Sequence, residues 1–377
     1  MQMLSRRAFS TKAFTVINPS KYSLSSFLSH SSLRPHVSLE NFASELVVAS
    51  PQHADELASY VTNGTGNGNG RQVIGLVSDR VPLGGQRNGF SFLLSSERFK
   101  LSDAIELDKK LEHSDNTARR NPRGLYVGVA NWAPSNSFFS LEIGKSTNLI
   151  LPIANTLFNN GKEATMLYNS PGEQLSGSFL TSLKASIPGD QSPEPLFYAP
   201  LAPVETEKLT ITSCKDNMIK LVNDKAAASY LENAEELKQG DPSTQINRKV
   251  FAFVHSPNER HPRRYQVIAG GGGGWSPRAT MLVLEPHATP RKGDSITFSY
   301  TISEDNDFKR DLPSIQTSQT LQIVFEACKK LESLNESTQI TYPADHVLEN
   351  TFGAGSEEGF LLNDHKYAVE NELVVLK

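Results

Sequence analysis

The chain has 377 residues, 38% of them hydrophobic, and a formal charge of −4. That is enough apolar material for a substantial core, and the length predicts two domains. No run approaches the ~20 consecutive apolar residues that cross a bilayer, so no membrane span is expected.

Charge is unevenly placed. Between Met1 and Leu39 there is no Asp or Glu, against Arg6, Arg7, Lys12, Lys21 and Arg34. Setting those five aside leaves 32 Lys and Arg against 41 Asp and Glu, a balance of −9. An acidic body gives polyphosphate no electrostatic footing, which disfavours nucleic-acid binding. The opening Met1–Phe14 (MQMLSRRAFSTKAF) carries Arg and Ser without acid, the composition of a mitochondrial transit peptide. Arg7-Ala8-Phe9-Ser10 fits a matrix-peptidase site with cleavage after Phe9. The expectation is a mitochondrial matrix protein, with a presequence over 1–9 and a flexible Ser-rich tether over 10–33.

Along the remainder, Ala43–Ala49 leads into a helix at Pro51–Tyr60, with Ser50 as N-cap and Pro51 at the first helical position. Val73–Val77 and Phe90–Leu94 read as strands. A short helix is predicted at Ala104–Leu111, then strands at Leu125–Ala130, Phe138–Ile143 and Met166–Tyr168. Helix is predicted at Ile150–Asn159 and at Leu175–Ser186. Five prolines between Pro188 and Pro203 make that stretch extended, a linker over 188–205.

Beyond it, Leu209–Cys214 and Met218–Val222 form a hairpin by spacing, and Ala226–Lys238 reads as a helix. Strands follow at Lys249–His255, Tyr265–Ala269, Thr280–Leu284 and Ser295–Ile302. Ser303–Leu312 is charged, Thr320–Leu334 is predicted helical, and Glu372–Leu376 is a last strand. Strands outnumber helices and often run consecutively. This predicts an α+β fold of two subdomains, 34–187 and 206–377, with largely antiparallel or mixed sheets flanked by helices.

The most unusual segment is the tract Gly270-Gly271-Gly272-Gly273-Gly274-Trp275-Ser276-Pro277-Arg278. Consecutive glycines are costly to order and are kept where backbone must approach something closely. A phosphate cradle would need Gly-Lys-Ser/Thr and a following helix, and neither is present. Two readings stand. Either the bare amides, the Trp275 ring and the Arg278 guanidinium hold a small anionic or zwitterionic ligand, or the loop merely joins strands with Trp275 as a core anchor. Arg260, Arg263 and Arg264 lie just before the tract, as a solvated loop or an anion-attracting rim.

Searches for catalytic and metal motifs are negative: no HExxH, CxxC or G-x-S-x-G occurs. No metal or cofactor is therefore expected. His255 and His261 read as loop histidines. Cys214 and Cys328 read as buried reduced thiols, with Cys328 as the candidate nucleophile if the chain is a hydrolase or transferase.

Leu209–Leu231 (LTITSCKDNMIKLVNDKAAASYL) is similar to the opening of the C-terminal half of FIST domains, a hairpin followed by a short turn and a helix bearing an aromatic, here Tyr230. Ile323–Cys328 looks like the family's apolar segment ending in Cys. Thr351–Phe360 (TFGAGSEEGF) looks like its terminal Gly-rich, Glu-containing stretch. The glycine tract followed by Met281-Leu282-Val283-Leu284-Glu285-Pro286 resembles the fungal mitochondrial type. The resemblance implies a FIST-N-like domain over 34–187 and a FIST-C-like domain over 206–377. It also implies a sensory function, binding a small metabolite such as an amino acid. The expected ligand-binding groups are Gly270, Gly271, Gly272, Gly273, Gly274, Trp275 and Arg278, with Gly355 and Glu357 behind them. A protein partner is the alternative occupant of the glycine loop.

Overall fold

A computed structural model describes residues 11–28, 41–63, 70–83, 88–106, 137–154, 166–187, 195–199, 201–204, 207–238, 249–257, 262–270, 280–286, 288–302, 319–328, 343–363 and 365–377. The chain divides into two compact units. The first comprises Met1–Arg123, Pro134–Ala199 and Lys309–Lys377, and the second Gly124–Ala133 and Pro200–Phe308. The chain passes into the second unit after Ala199 and returns to the first at Lys309 for its last segment.

The first unit opens with strands β1 (Thr11–Ile17), β2 (Ser44–Ala49), β3 (Gln72–Val77), β4 (Gly89–Ser95) and β5 (Lys100–Glu106). It continues with β6 (Phe138–Ile143), β7 (Thr147–Pro152), β8 (Met166–Asn169), β9 (Ser178–Ile187) and β10 (Pro195–Tyr198). The second unit holds β11 (Leu201–Pro203), β12 (Leu209–Lys215), β13 (Met218–Val222), β14 (Lys225–Ala226), β15 (Val250–His255), β16 (Arg263–Ala269), β17 (Leu282–Leu284) and β18 (Ser295–Thr301). Back in the first unit are β19 (Gln322–Ala327), β20 (His346–Glu349), β21 (Thr351–Ser356), β22 (Phe360–Leu362), β23 (His365–Tyr367) and β24 (Leu373–Leu376). Helices are few and short: α1 (Leu24–Phe27) and α2 (Ala54–Asn63) in the first unit, α3 (Ser229–Glu232) and α4 (Glu235–Lys238) in the second.

The protein is therefore mostly β, not the α+β arrangement of sheets flanked by helices that the sequence predicts. In the first unit, strands in the order β20-β1-β4-β2-β3-β8-β9-β6-β7-β22-β23 make one large mixed sheet, with β5 also on β9. A four-stranded sheet, β10-β24-β19-β21, packs on one of its faces. Alternation along the strands sorts the two faces. Leu46, Val48, Ile74 and Leu76 pack with Phe325, Phe352 and Val374 of the small sheet. Their neighbours Val47, Ala49, Val73 and Val77 pack with Leu57 and Val61 of α2 and with Phe27 of α1. Both faces are covered, so these strands read as continuous apolar runs.

The second unit is a closed barrel. Its strands run β12-β13-β17-β16-β15-β18, and β18 pairs both β15 and β12 to complete the ring. The predicted hairpin is there, turning at Asp216, whose φ of +52° is the left-handed conformation such turns require. Ile211, Ile219, Val222, Ala252, Leu282 and Phe298 fill its interior. Closure removes the free edges that an open sheet of this size would expose.

Several predicted helices are strands. Ala104–Leu111 begins inside β5 and Ile150–Asn159 inside β7, while Leu175–Ser186 and Thr320–Leu334 overlap β9 and β19. The stretches in β7, β9 and β19 are largely buried strand with no clear period to tell helix from strand, whereas β5 is a largely exposed strand beside β9. Ala226–Lys238 is two four-residue helices, not one. Thr11–Ile17, expected in a tether, is a buried strand between β4 and β20. Leu125–Ala130 and Ser303–Leu312 lie outside the described residues.

The small sheet is fastened to the large one through side chains. Among the described strands, β21 pairs only β19. On its other side Thr15 Oγ1 of β1 donates to Thr351 O at 2.8 Å, and Gly353 N donates to Ser91 Oγ of β4 at 3.1 Å. Ser91→Ala leaves that buried amide without its acceptor. The expected loss is about 1–3 kcal/mol, read as a lower urea midpoint at unchanged slope; an unmoved midpoint would dismiss the fastening. A second prediction concerns acid. Asp345, before β20, accepts from Lys21 N at 2.8 Å, Ser20 N at 2.7 Å and Ser20 Oγ at 2.7 Å, which holds its carboxyl down from 3.8 to about 2. Its folded-state value is depressed, so its contribution is present above the unfolded value and is lost as pH falls toward about 2. The stability gap between wild type and Asp345→Asn should close over that window in acid-unfolding curves.

Candidate functional site

Strands β19 and β21 run parallel, with Glu326 opposite Gly355 and Ala327 opposite Ser356. The two segments that carry the C-terminal resemblance, Ile323–Cys328 and Thr351–Phe360, are therefore side by side. Where they end, the segment after β3 joins them: Arg80 N donates to Gly355 O at 3.1 Å, and Gly355 N donates to Arg80 O at 2.8 Å. Ser78 Oγ braces the Arg80 carbonyl at 2.7 Å. Three strand ends, from β3, β19 and β21, thus meet at one place.

Four groups face one another there. Glu326 is half-buried as a residue, but its carboxyl is enclosed by protein. Its Oε2 accepts from Leu83 N at 3.0 Å, and its Oε1 accepts from the Cys328 thiol at 3.7 Å. Burial pushes the carboxyl above its ordinary 4.5, against the pull of the Leu83 amide, the Arg80 charge and the Cys328 thiol. Cys328 is 4% exposed, and its amide is held by Ser356 O at 2.8 Å. Gly355 makes the approach possible: a Cβ there would stand 2.4 Å from Cys328 Sγ and 2.8 Å from Glu326 Cγ. Glycine is needed for space, not for an unusual backbone angle.

Arg80 is the unusual member. It is 7% exposed, and its Nε has no hydrogen-bond partner among the described residues. Nor does any described carboxylate stand within 4 Å of it as an ion pair. A buried guanidinium ordinarily has its donors matched. Contrast Glu45 under α2, also fully buried: it takes the Tyr60 hydroxyl at 2.5 Å and faces Arg71 at 3.3 Å. Glu45 thus has a charged partner, which Arg80 lacks among the described residues, although Glu45 Oε2 and Arg71 Nε also go without a hydrogen bond. Beside it, Asp79 Oδ2 accepts from Glu357 N at 2.8 Å and fixes the turn after β21.

Of the residues expected to bind ligand, Gly355 and Glu357 lie at this site, Gly355 as its wall and Glu357 through its backbone amide. Gly270 belongs to the second unit. It ends β16 with φ +133°, where a Cβ would strike Met281 O at 2.6 Å, and it borders an open cleft of about 510 Å³ with Leu237, Lys249, Gln266 and Ile268. Gly271, Gly272, Gly273, Gly274, Trp275 and Arg278 lie outside the described residues, as does His261. His255 closes β15, and Cys214 donates to Pro290 O at 3.3 Å in the barrel. Among the described residues no group of His, Cys, Asp and Glu is arranged to hold a metal ion, and no helix is long and apolar enough to cross a membrane.

Sequence reasoning missed Arg80, Glu326 and Asp79. The signal was present: Glu326 is the one charged residue in the run Ile323–Cys328, and Asp79-Arg80 ends the apolar run Val73–Val77. Comparison with protein-family models, with curated proteins and with solved structures finds no match to this chain.

An enclosed carboxyl has a signature in stability. The folded-state value of Glu326 lies above the unfolded one, so the folded state is penalised as pH rises above about 4.5. Glu326→Gln removes that penalty. Its stability relative to wild type should rise with pH across this range in urea titrations, and a constant difference would mean the carboxyl is not enclosed.

Proposed function

We propose that this chain is a FIST-like mitochondrial matrix protein that binds or senses a small metabolite, amino-acid-like or anionic, with its anionic group at Arg80. The observation that carries the reading is the buried Arg80 guanidinium with an unmatched donor, set where three strands end. Planar guanidinium donors suit carboxylates and other oxyanions, and a water-poor setting strengthens such a bond. The resemblance at Ile323–Cys328 and Thr351–Phe360 supports the same place, because those segments form two of its three walls. The matrix assignment rests on the acid-free, Arg-bearing start of the chain. Cleavage after Phe9 would leave β1, beginning at Thr11, intact.

The test is a thermal-unfolding series of the chain without residues 1–9 against amino acids, organic acids and nucleotides. A ligand at a hundred times its dissociation constant adds ~2.7 kcal/mol to stability, an upward shift of a few degrees for a unit of this size. One anionic or zwitterionic class should raise the midpoint in wild type and fail to do so in Arg80→Met. No shift with any class, or an equal shift in the variant, would overturn the reading.

A further inference from the structure

Resting on the ligand reading above, we infer that the site takes up a proton with its anion: a small carboxylate pairs with Arg80 while Glu326 becomes neutral. The geometry sets the constraint. Arg80 is the cation whose attraction reaches the Glu326 carboxyl, and that carboxyl is enclosed with only the Leu83 amide and the Cys328 thiol as donors. A second negative charge at the guanidinium would leave two anions sharing one cation away from water. Like charges at such range disfavour ionisation, and the weaker-held one takes a proton.

The other titratable groups on the elements packed here are committed elsewhere. Asp79 holds Glu357 N at 2.8 Å, and Glu372, before β24, holds Val369 N at 3.1 Å. Cys328 already presents its proton to Glu326. The Glu357 and Glu358 carboxyls stand on the turn after β21, outside the burial that raises Glu326, so the enclosed Glu326 carboxyl is the one placed to absorb the change. A neutral Glu326 keeps its acceptor role toward Leu83 and gains a donor, so the site admits the carboxylate group of an acid in preference to a dianion such as sulfate.

Calorimetric titration of the full chain with acetate, succinate and L-glutamate, in two buffers of different ionisation enthalpy, reads the proton directly. Above the pH at which Glu326 ionises in the free protein, uptake should rise toward about one proton per carboxylate bound, with affinity falling up to tenfold per pH unit. Glu326→Gln should bind without uptake and with affinity flat against pH. Binding to wild type with heats independent of buffer would overturn the inference whether or not the variant folds, as would uptake that persists in Glu326→Gln. Preferential binding of sulfate would overturn it too. Absence of binding by any of the three carboxylates to folded wild type would instead sink the assignment of an anion to Arg80, and the inference with it.

Discussion

Strand β21 has a strand neighbour on one side only, and everything at the site depends on how its other side is closed. Thr15, Ser91 and the backbone of Arg80 do that work in turn, meeting the carbonyl of Thr351, the amide of Gly353 and both polar groups of Gly355. Because these partners sit on β1, on β4 and after β3, the small sheet has one permitted position against the large one. Buried backbone groups must find partners, and a slip of β21 by one residue would orphan all of them at once. The placement of Arg80 against Glu326 is a by-product of this fastening.

That placement is costly. A charged guanidinium and a carboxyl are both withdrawn from water without the direct pairing that would offset it. Around Glu45 the same fold sets a tyrosine hydroxyl and an arginine beside the buried carboxyl.

Much of the strand content was legible. Val73–Val77, Phe90–Leu94 and the hairpin at Leu209–Val222 announce themselves through β-branched and aromatic residues and turn-forming Asp and Asn. Strands β9 and β19 did not, because an interior strand with both faces covered loses the alternation that marks a half-buried one. Barrel closure was also unreadable: the pairing of β15 with β18 joins residues from His255 with Ser295 to Val250 with Tyr300, far apart in the chain, and no local pattern encodes it. The site failed to show for the same reason. Its wall residues Gly355 and Glu357 stood out as a glycine- and glutamate-bearing stretch, but Arg80 meets Glu326 only through a fold in which distant strands end together.

The interruption of the first unit by the second has a consequence for the order in which the chain acquires structure. The chain leaves that unit after Ala199 and resumes it at Lys309, and β1 receives one of its two neighbours, β20, from the far end, with Phe14 opposite Glu349. Synthesis or threading from the amino end delivers β1, β2, β3 and β4 early, then a barrel that closes on its own contacts, and only afterwards the strands that complete the large sheet. Until then the outer edge of β1 and the face awaiting Phe325 and Phe352 stay open to neighbouring chains. Pairings of such sequence separation close slowly, and open edges invite association. For a molecule wired this way, the yield on refolding should depend on its own concentration more than on its final stability.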